Sequence, residues 1–336
     1  MKYAIISDIH GNWHALTAAL CDAKAQGTDA FLFAGDYCMC SAYANEIVEI
    51  IRSLPDAYAI AGNGEGYLRD LTSRDQAAWA DGQYAGLYWC YRAVTQENHA
   101  CLAALAETLR IPGETADIFV AHSSRPFLGD AEFKNISSGI LAQRYKGKPL
   151  PRQTLLSDIR ACFLQDAEFQ QMLNVLPAGV YVFGHTHVQW HALFGDKLFI
   201  NAGSCGQALD GQPTAAYTLL EEADGQWNVQ ERRIAYDVEA FISGLKNTSL
   251  YSEARVWCDL VIRQCLTGYE HMDFFLRFVK TYAEGIGDTA RPFSRETWAG
   301  AYEIWCERLK KVPPYMNTDY AALTTGREAS PQVSTD

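Results

Sequence analysis

The stretch "YAIISDIHGNWHALTAALCDAKAQG", residues 3 to 27, decides how the rest of the chain is read. "YAIIS" is a short apolar run with β-branched residues that stops at Asp8, after which Trp13, Leu16 and Leu20 repeat at helical spacing up to a capping Gly27. This is a strand, a turn and a helix. The unit recurs: "AFLFAGD" precedes helical "ANEIVEIIRSL", "AYAIAGN" precedes a region read as helical over 74–110, and "DIFVAH" and "VYVFGHTH" are strands ending in polar residues. Strands alternating with helices predict an α/β fold with a largely parallel central sheet. Ligands of such sheets bind outside the carboxyl ends of the strands, where each polar cluster here falls.

From about residue 197 the pattern changes. "LFINAGS", "AAYTLLEE" and "QWNVQERRIAY" have strand character with turn-like connections, which predicts an antiparallel edge or a second sheet. After Tyr236 the chain reads as helical to about Lys311, with Trp257, Leu260, Val261 and Cys265 on one face. The expected organisation is a catalytic domain over 1–235, a helical C-terminal appendage over 236–312 and a polar, disordered tail over 313–336. Of the appendage's aromatics, Tyr251, Trp257, Tyr269, Phe274, Phe275, Trp298, Tyr302 and Trp305 are expected mainly in a core or a homodimer interface; a base-stacking wall is the alternative.

Composition narrows the function classes. With 49% hydrophobic residues, 20% charged residues and a formal net charge of -12, the chain reads as globular, and no block of like charges marks an extended nucleic-acid surface or a membrane arm. The N-terminal apolar run is too short for a signal peptide, and no 18-residue apolar segment exists to span a bilayer. Ten scattered Cys without C-x-x-C read as reduced thiols buried as small hydrophobes, so a cytoplasmic location is expected.

The chemistry lies in "SDIHGN" (Asp8, His10), "GDY" (Asp36), "GN" (Asn63), "AH" (His122) and "GHTH" (His185, His187). Imidazoles and carboxylates suit Mn, Fe, Zn, Co or Ni, and a set without thiolates argues against a structural zinc cluster. Asp-x-His and His-x-His each place two ligands on one short loop. The set exceeds what one tetrahedral ion needs and suits two ions sharing a carboxylate, the arrangement that performs in-line displacement at phosphorus.

The ordered set D-x-H, GD, GN, H, GHTH resembles the calcineurin-like metallophosphoesterase superfamily, and "SDIHGNWHAL" with "GHTH" and "INAGS" is similar to its small bacterial and archaeal phosphodiesterase branch. The resemblance covers about residues 1 to 235. It implies a four-layer α-β-β-α sandwich and two divalent ions, with manganese favoured. One would be held by Asp8, His10, Asp36 and His187, and the other by Asp36, Asn63, His122 and His185. Asp36, Asn63 and His122 would form the catalytic core around a metal-bridging hydroxide.

Two positions depart from that pattern. Many members carry His directly after the Gly-Asn of the third motif, where it touches phosphate and helps protonate the leaving oxygen; here Gly64 stands there and is expected to open space beside the second ion. A branch lacking this His is associated with phosphodiesters, for which acid assistance matters less when the leaving group departs as a stable anion. "AHSSRP" also has Ser123 where members usually show Gly.

The expected substrate is therefore a small phosphodiester or a nucleotide phosphoanhydride. The alternatives are a phosphomonoesterase or protein phosphatase of the same fold, and a non-catalytic scaffold like the retromer subunit that resembles these enzymes. Asn12 and Glu65 are candidate substrate contacts, with helix capping open to both. Arg125 is a third candidate. It begins a basic insert, about 125–152, in which Arg125, Lys134, Arg144, Lys146, Lys148 and Arg152 face only Asp130 and Glu132. Such a loop closes over an anionic substrate or is simply solvated.

Overall fold

In the computed structural model the described residues are 1–132, 136, 138–145, 152–223 and 225–310. Lys134, Lys146 and Lys148 of the basic insert, and the tail expected to be disordered, lie outside them.

The strands are β1 (Lys2–Ile6), β2 (Ala30–Phe33), β3 (Ala57–Ala59), β4 (Thr108–Ile111), β5 (Ile118–Ala121), β6 (Gly179–Phe183), β7 (Gln189–Phe194), β8 (Lys197–Ala202), β9 (Ala215–Ala223) and β10 (Gln226–Ile234). They form two five-stranded sheets, ordered β10-β9-β1-β2-β3 and β4-β5-β6-β8-β7. Pairing is parallel only within β1-β2-β3 and β5-β6-β8, and the strands outside those trios run antiparallel. The largely parallel central sheet expected from the strand-helix alternation is thus divided between two mixed sheets, with antiparallel edges and a second sheet as the strands after residue 197 suggested.

Side-chain alternation explains the layering. In β1, Tyr3 and Ile5 join Val120, Val180, Val182 and Ile200 of the other sheet in one buried cluster, while Ala4 and Ile6 face Leu16, Ala19 and Ile47 of the helices outside. In β6, Val180 and Val182 point inward, and Tyr181 and Phe183 pack outward against Leu155, Ile159 and Phe169. Strands buried on both faces read as nearly continuous apolar runs, as these do. The result is the expected α-β-β-α sandwich.

The region read as helical over 74–110 differs in detail. Helices span Asn63–Leu71, Ala85–Ala93 and Gln96–Ala103, and Thr108–Ile111 is the edge strand β4, paired antiparallel with β5. "TLRI" is partly exposed, so its apolar signal is weak.

After β10, helices Val238–Lys246, Ser249–Glu253, Arg255–Thr267, Met272–Ile286 and Arg295–Lys310 follow. Phe274, Phe275, Trp298 and Trp305 are buried in their own core. A second cluster joins Phe241, Leu245, Leu250, Cys258 and Val261 to Cys40, with Met39, Ala42 and Trp89 packed against it, so the C-terminal helices grip the loop after β2. Among the described residues no helix is long and apolar enough to cross a membrane.

Candidate metal centre

The loops after β1, β2, β5, β6 and β8 are sewn together at one edge of the sandwich. His10 N–H donates to Asp36 O at 3.0 Å, Gly184 N–H to His122 O at 3.0 Å, and Gly206 N–H to Asp8 O at 3.0 Å. Such close approach explains the glycine that precedes the polar residue in "GDY", "GN" and "GHTH". A Cβ on Gly62 would lie 2.2 Å from Asp36 Oδ1, and one on Gly184 would lie 2.3 Å from Asp8 Oδ2. Asp8, His10, Asp36, His185 and His187 all adopt left-handed backbone, with φ of 53°, 51°, 57°, 65° and 57°. That conformation costs a non-glycine residue about 1–3 kcal/mol and persists where the surroundings impose it, typically at functional sites.

The side chains form two adjoining half-sites. In the first, His10 Nε2 and His187 Nε2 are 3.0 Å apart, and Asp8 Oδ1 lies 3.8 and 3.3 Å from them. In the second, Asn63 Oδ1 is 3.0 Å from His122 Nε2 and 2.8 Å from His185 Nδ1. Asp36 Oδ2 sits between the two, 3.8 Å from His10 Nε2 and 3.4 Å from His122 Nε2. All seven residues singled out in the sequence are brought together.

The remaining atoms of these side chains are tied down from behind. Asp36 Oδ1 accepts from Gly64 N–H at 2.7 Å, and Asp8 Oδ2 accepts from Ser7 Oγ at 2.5 Å and His185 N–H at 3.0 Å. His122 Nδ1 meets Ala34 O at 2.7 Å and His187 Nδ1 meets Gln207 O at 2.8 Å, which leaves each Nε2 as a lone pair facing the centre. Asp8 Oδ1 is buried without a hydrogen-bond partner. A buried carboxylate oxygen left bare among imidazole lone pairs is what a cation site requires. Asp8 with His10 and His187, and Asp8 with Asp36 and His122, are each close enough to hold an ion.

The electrostatics agree. Burial works against charge on Asp36, yet His122, His10 and the Gly64 N–H hold its carboxyl well below the usual range. Burial also opposes a proton on His122, and Asp36 overrides it, lifting the imidazole to about 10, so the Nε2 lone pair becomes available where a cation takes the place of that proton. Burial and the neighbouring His187 push His10 down to about 4. The centre thus stabilises negative oxygen and positive charge together.

Other expectations need correction. Asn12 takes the capping role: it is buried, its Oδ1 caps the helix Trp13–Ala25 through Ala15 N–H at 3.1 Å, and its Nδ2 donates to Gly206 O at 2.8 Å. Glu65 is likewise buried, and its carboxylate accepts from Asp36 N–H, Tyr37 N–H and Gly62 N–H at 2.9, 2.9 and 2.8 Å. It locks the Asp36 loop to the Asn63 turn with both carboxylate oxygens engaged, the capping role rather than an exposed one. Gly64 opens no space either, because Met39 Sδ lies 3.0 Å from where its Cβ would be. In the basic insert, Arg152 is bound to Glu231 and Gln189 O, whereas Arg125 is exposed, 3.9 Å from Asp130.

Some participants left no mark in the motifs. Cys40 Sγ lies 3.6 Å from His10 Nδ1. Asn201 Nδ2 holds Gly184 O at 2.9 Å and Thr186 Oγ1 at 2.8 Å, shaping the "GHTH" turn. Ser204 Oγ holds Asp8 O at 2.7 Å. Only "NAGS" hinted at the last two.

The sequence profile of the calcineurin-like phosphoesterases matches residues 1–189, which include every one of the converging residues. The chain belongs to the calcineurin-like phosphoesterase family. The family comprises phosphoester hydrolases that depend on a dinuclear metal site. A similar sequence is the uncharacterized protein MJ0912 of Methanocaldococcus jannaschii, 26% identical over 241 residues that span 70% of this chain and 88% of that one. Among solved structures, a metallophosphoesterase from Sphaerobacter thermophilus, 20% identical, matches with TM-score 0.55 over 80% of this chain and 100% of its own. The hypothetical protein PH1004 from Pyrococcus horikoshii OT3, 18% identical, matches with TM-score 0.55 over 80% and 99%. Both likenesses are of fold.

Proposed function

We propose that this chain is a dinuclear metal-dependent phosphoesterase that prefers phosphodiesters to monoesters. The observation that carries the reading is Asp36 Oδ2, shared between two half-sites that each offer further lone pairs, beside the bare Asp8 Oδ1. Asp8, His10, Asp36 and His187 would hold one ion, and Asp36, Asn63, His122 and His185 the other, with manganese favoured. Two such ions supply the Lewis acidity that lowers the pKa of water and neutralises phosphoryl oxygens.

The chain's residues fix the geometry for that chemistry. Gly64 N–H pins Asp36 so that Oδ2 alone faces the centre, and the Ala34 and Gln207 carbonyls fix the rings of His122 and His187. In the overall reaction a water oxygen bonds to phosphorus, the P–O bond to the leaving group breaks, and the departing oxyanion takes its proton from solvent. No imidazole follows Asn63 to deliver that proton, and Met39 covers the place. This favours leaving groups that are stable as anions. Arg125, exposed and three residues past His122 in the chain, would attract an anionic substrate.

The test is kinetic. Protein stripped of metal and reloaded with Mn should hydrolyse bis-p-nitrophenyl phosphate faster than p-nitrophenyl phosphate. Faster monoester turnover would reverse the preference, and absence of metal-dependent hydrolysis of either would leave a scaffold.

A further inference from the structure

The helices beyond residue 236 lie outside the span matched by the family profile, and they wall a cavity of about 410 Å³ against helices Asn63–Leu71 and Ala85–Ala93. Its lining includes Met39, Tyr67, Arg74, Tyr84, Tyr88 and Trp257. The volume falls within the roughly 300–1,000 Å³ of ordinary small-molecule sites. Two of the lining residues also touch the metal centre. Met39 lies against Gly64, whose N–H holds Asp36, and the Tyr67 hydroxyl is close enough to the Asn63 side chain and the Asp36 carboxylate to feel both. The cavity therefore starts where the metal centre ends.

Its chemistry is aromatic with a few polar groups. Tyr67 and Tyr84 are 48% and 40% exposed, far more than packing aromatics. Tyr88 behind them is rigid: it stacks on Trp79 at a centroid distance of 4.8 Å and hydrogen-bonds Asp81. Arg74 lines the same space and forms no ion pair among the described residues, and Asp70 and Gln83 complete the polar edge. Most aromatics of the C-terminal helices are committed to core, and Trp257 is the one of those expected there that lines this cavity. A concave site with exposed ring faces and convergent donors and acceptors suits a flat, polar-edged ring better than an alkyl chain.

We infer that this cavity seats a planar aromatic group of the nucleobase class, carried by the phosphoester whose phosphate lies at the adjoining metal centre. The inference rests on the phosphoesterase reading and narrows its substrate class to nucleoside esters or anhydrides. Two esters that release the same phenolate isolate the cavity from the chemistry: thymidine 5′-(p-nitrophenyl phosphate) and methyl p-nitrophenyl phosphate. In Mn-loaded protein the nucleoside ester should have at least tenfold higher kcat/KM, through KM, and Tyr84→Ala should cut that ratio several-fold. A ratio near one in the natural protein, or a ratio unmoved by Tyr84→Ala in a variant that melts normally, overturns the assignment. Saturation-transfer NMR with adenosine on metal-free protein reads the cavity without turnover. Transfer that weakens in Tyr84→Ala supports it even if neither ester is hydrolysed, in which case the phosphoesterase reading alone fails. Absence of transfer overturns it.

Discussion

Gly64 is where one residue separates this chain from relatives with an imidazole after Gly-Asn. It sits in the first turn of the helix Asn63–Leu71, and a Cβ there would meet the end of the flexible Met39 side chain, 3.0 Å away, and Asp36 Oδ1, 3.1 Å away, contacts that a shift of a few tenths of an ångström relieves. Gly64→His is therefore expected to fold. Restored acid assistance should raise p-nitrophenyl phosphate turnover relative to bis-p-nitrophenyl phosphate by about a hundredfold, the low end of the general-acid range; an unchanged ratio shows that protonation of the leaving oxygen does not limit the monoester. Cys40 works from behind His10. Its thiol is buried and kept protonated by that burial and by Asp36, so its sulfur can accept from His10 Nδ1–H and leave Nε2 bare. Cys40→Ala should weaken metal binding about tenfold, the lower end for loss of such a supporting partner, as read by competition with a chelating dye. At this scale the sequence exposed the converging residues because each follows a strand directly. It hid Cys40 and Met39, whose roles depend on how the loop after β2 folds back, and it left Asn12 and Glu65 ambiguous because a capping carboxylate or amide looks like a ligand until its partners are seen.

Among the elements, the strands that end in polar residues were legible, since each is a short apolar run with an abrupt stop. The edge strand β4 was not, being partly exposed and lacking alternation. Sheet membership was also hidden: inward and outward faces of β1 and β6 are both apolar, so periodicity could not separate one sheet from two. In the C-terminal helices, His271 at the start of Met272–Ile286 is fully buried beside Thr267 Oγ1 at 3.0 Å, and burial together with Arg263 pushes its pKa down to about 3. The folded protein keeps this ring neutral, while the unfolded chain takes up a proton near 6.5. Stability from this group is thus complete above pH 6.5 and is lost as pH falls towards 3. Between pH 7.5 and 5.5 the natural protein should lose about 1.4 kcal/mol more than His271→Gln in urea unfolding. Equal losses would show that His271 is charged in the fold.

For the whole molecule, the sequence suggested an appendage after residue 236, and the packing gives those helices a larger part. Phe241, Leu245 and Val261 share a cluster with Cys40, and Gln207 Nε2 donates to Gln264 Oε1 at 2.5 Å, next to the carbonyl that holds His187. A chain ending at residue 235 would expose that face and loosen the loop carrying Met39 and Cys40. It should lose cooperative melting, or melt with reduced metal content; an unaltered melt and full metal content would make the helices dispensable. Long-range packing of this kind is not written in local periodicity, which is why the boundary looked cleaner in the sequence than it is in the fold. The account as a whole depends on two ions meeting at Asp36. Anomalous diffraction from Mn-soaked crystals, with metal content measured on the same protein, tests this directly. Two peaks about 3.5–4 Å apart, both bonded to Asp36 and together contacted by Asp8, His10, Asn63, His122, His185 and His187, are the predicted result. A single peak, or two that do not share Asp36, would contradict it.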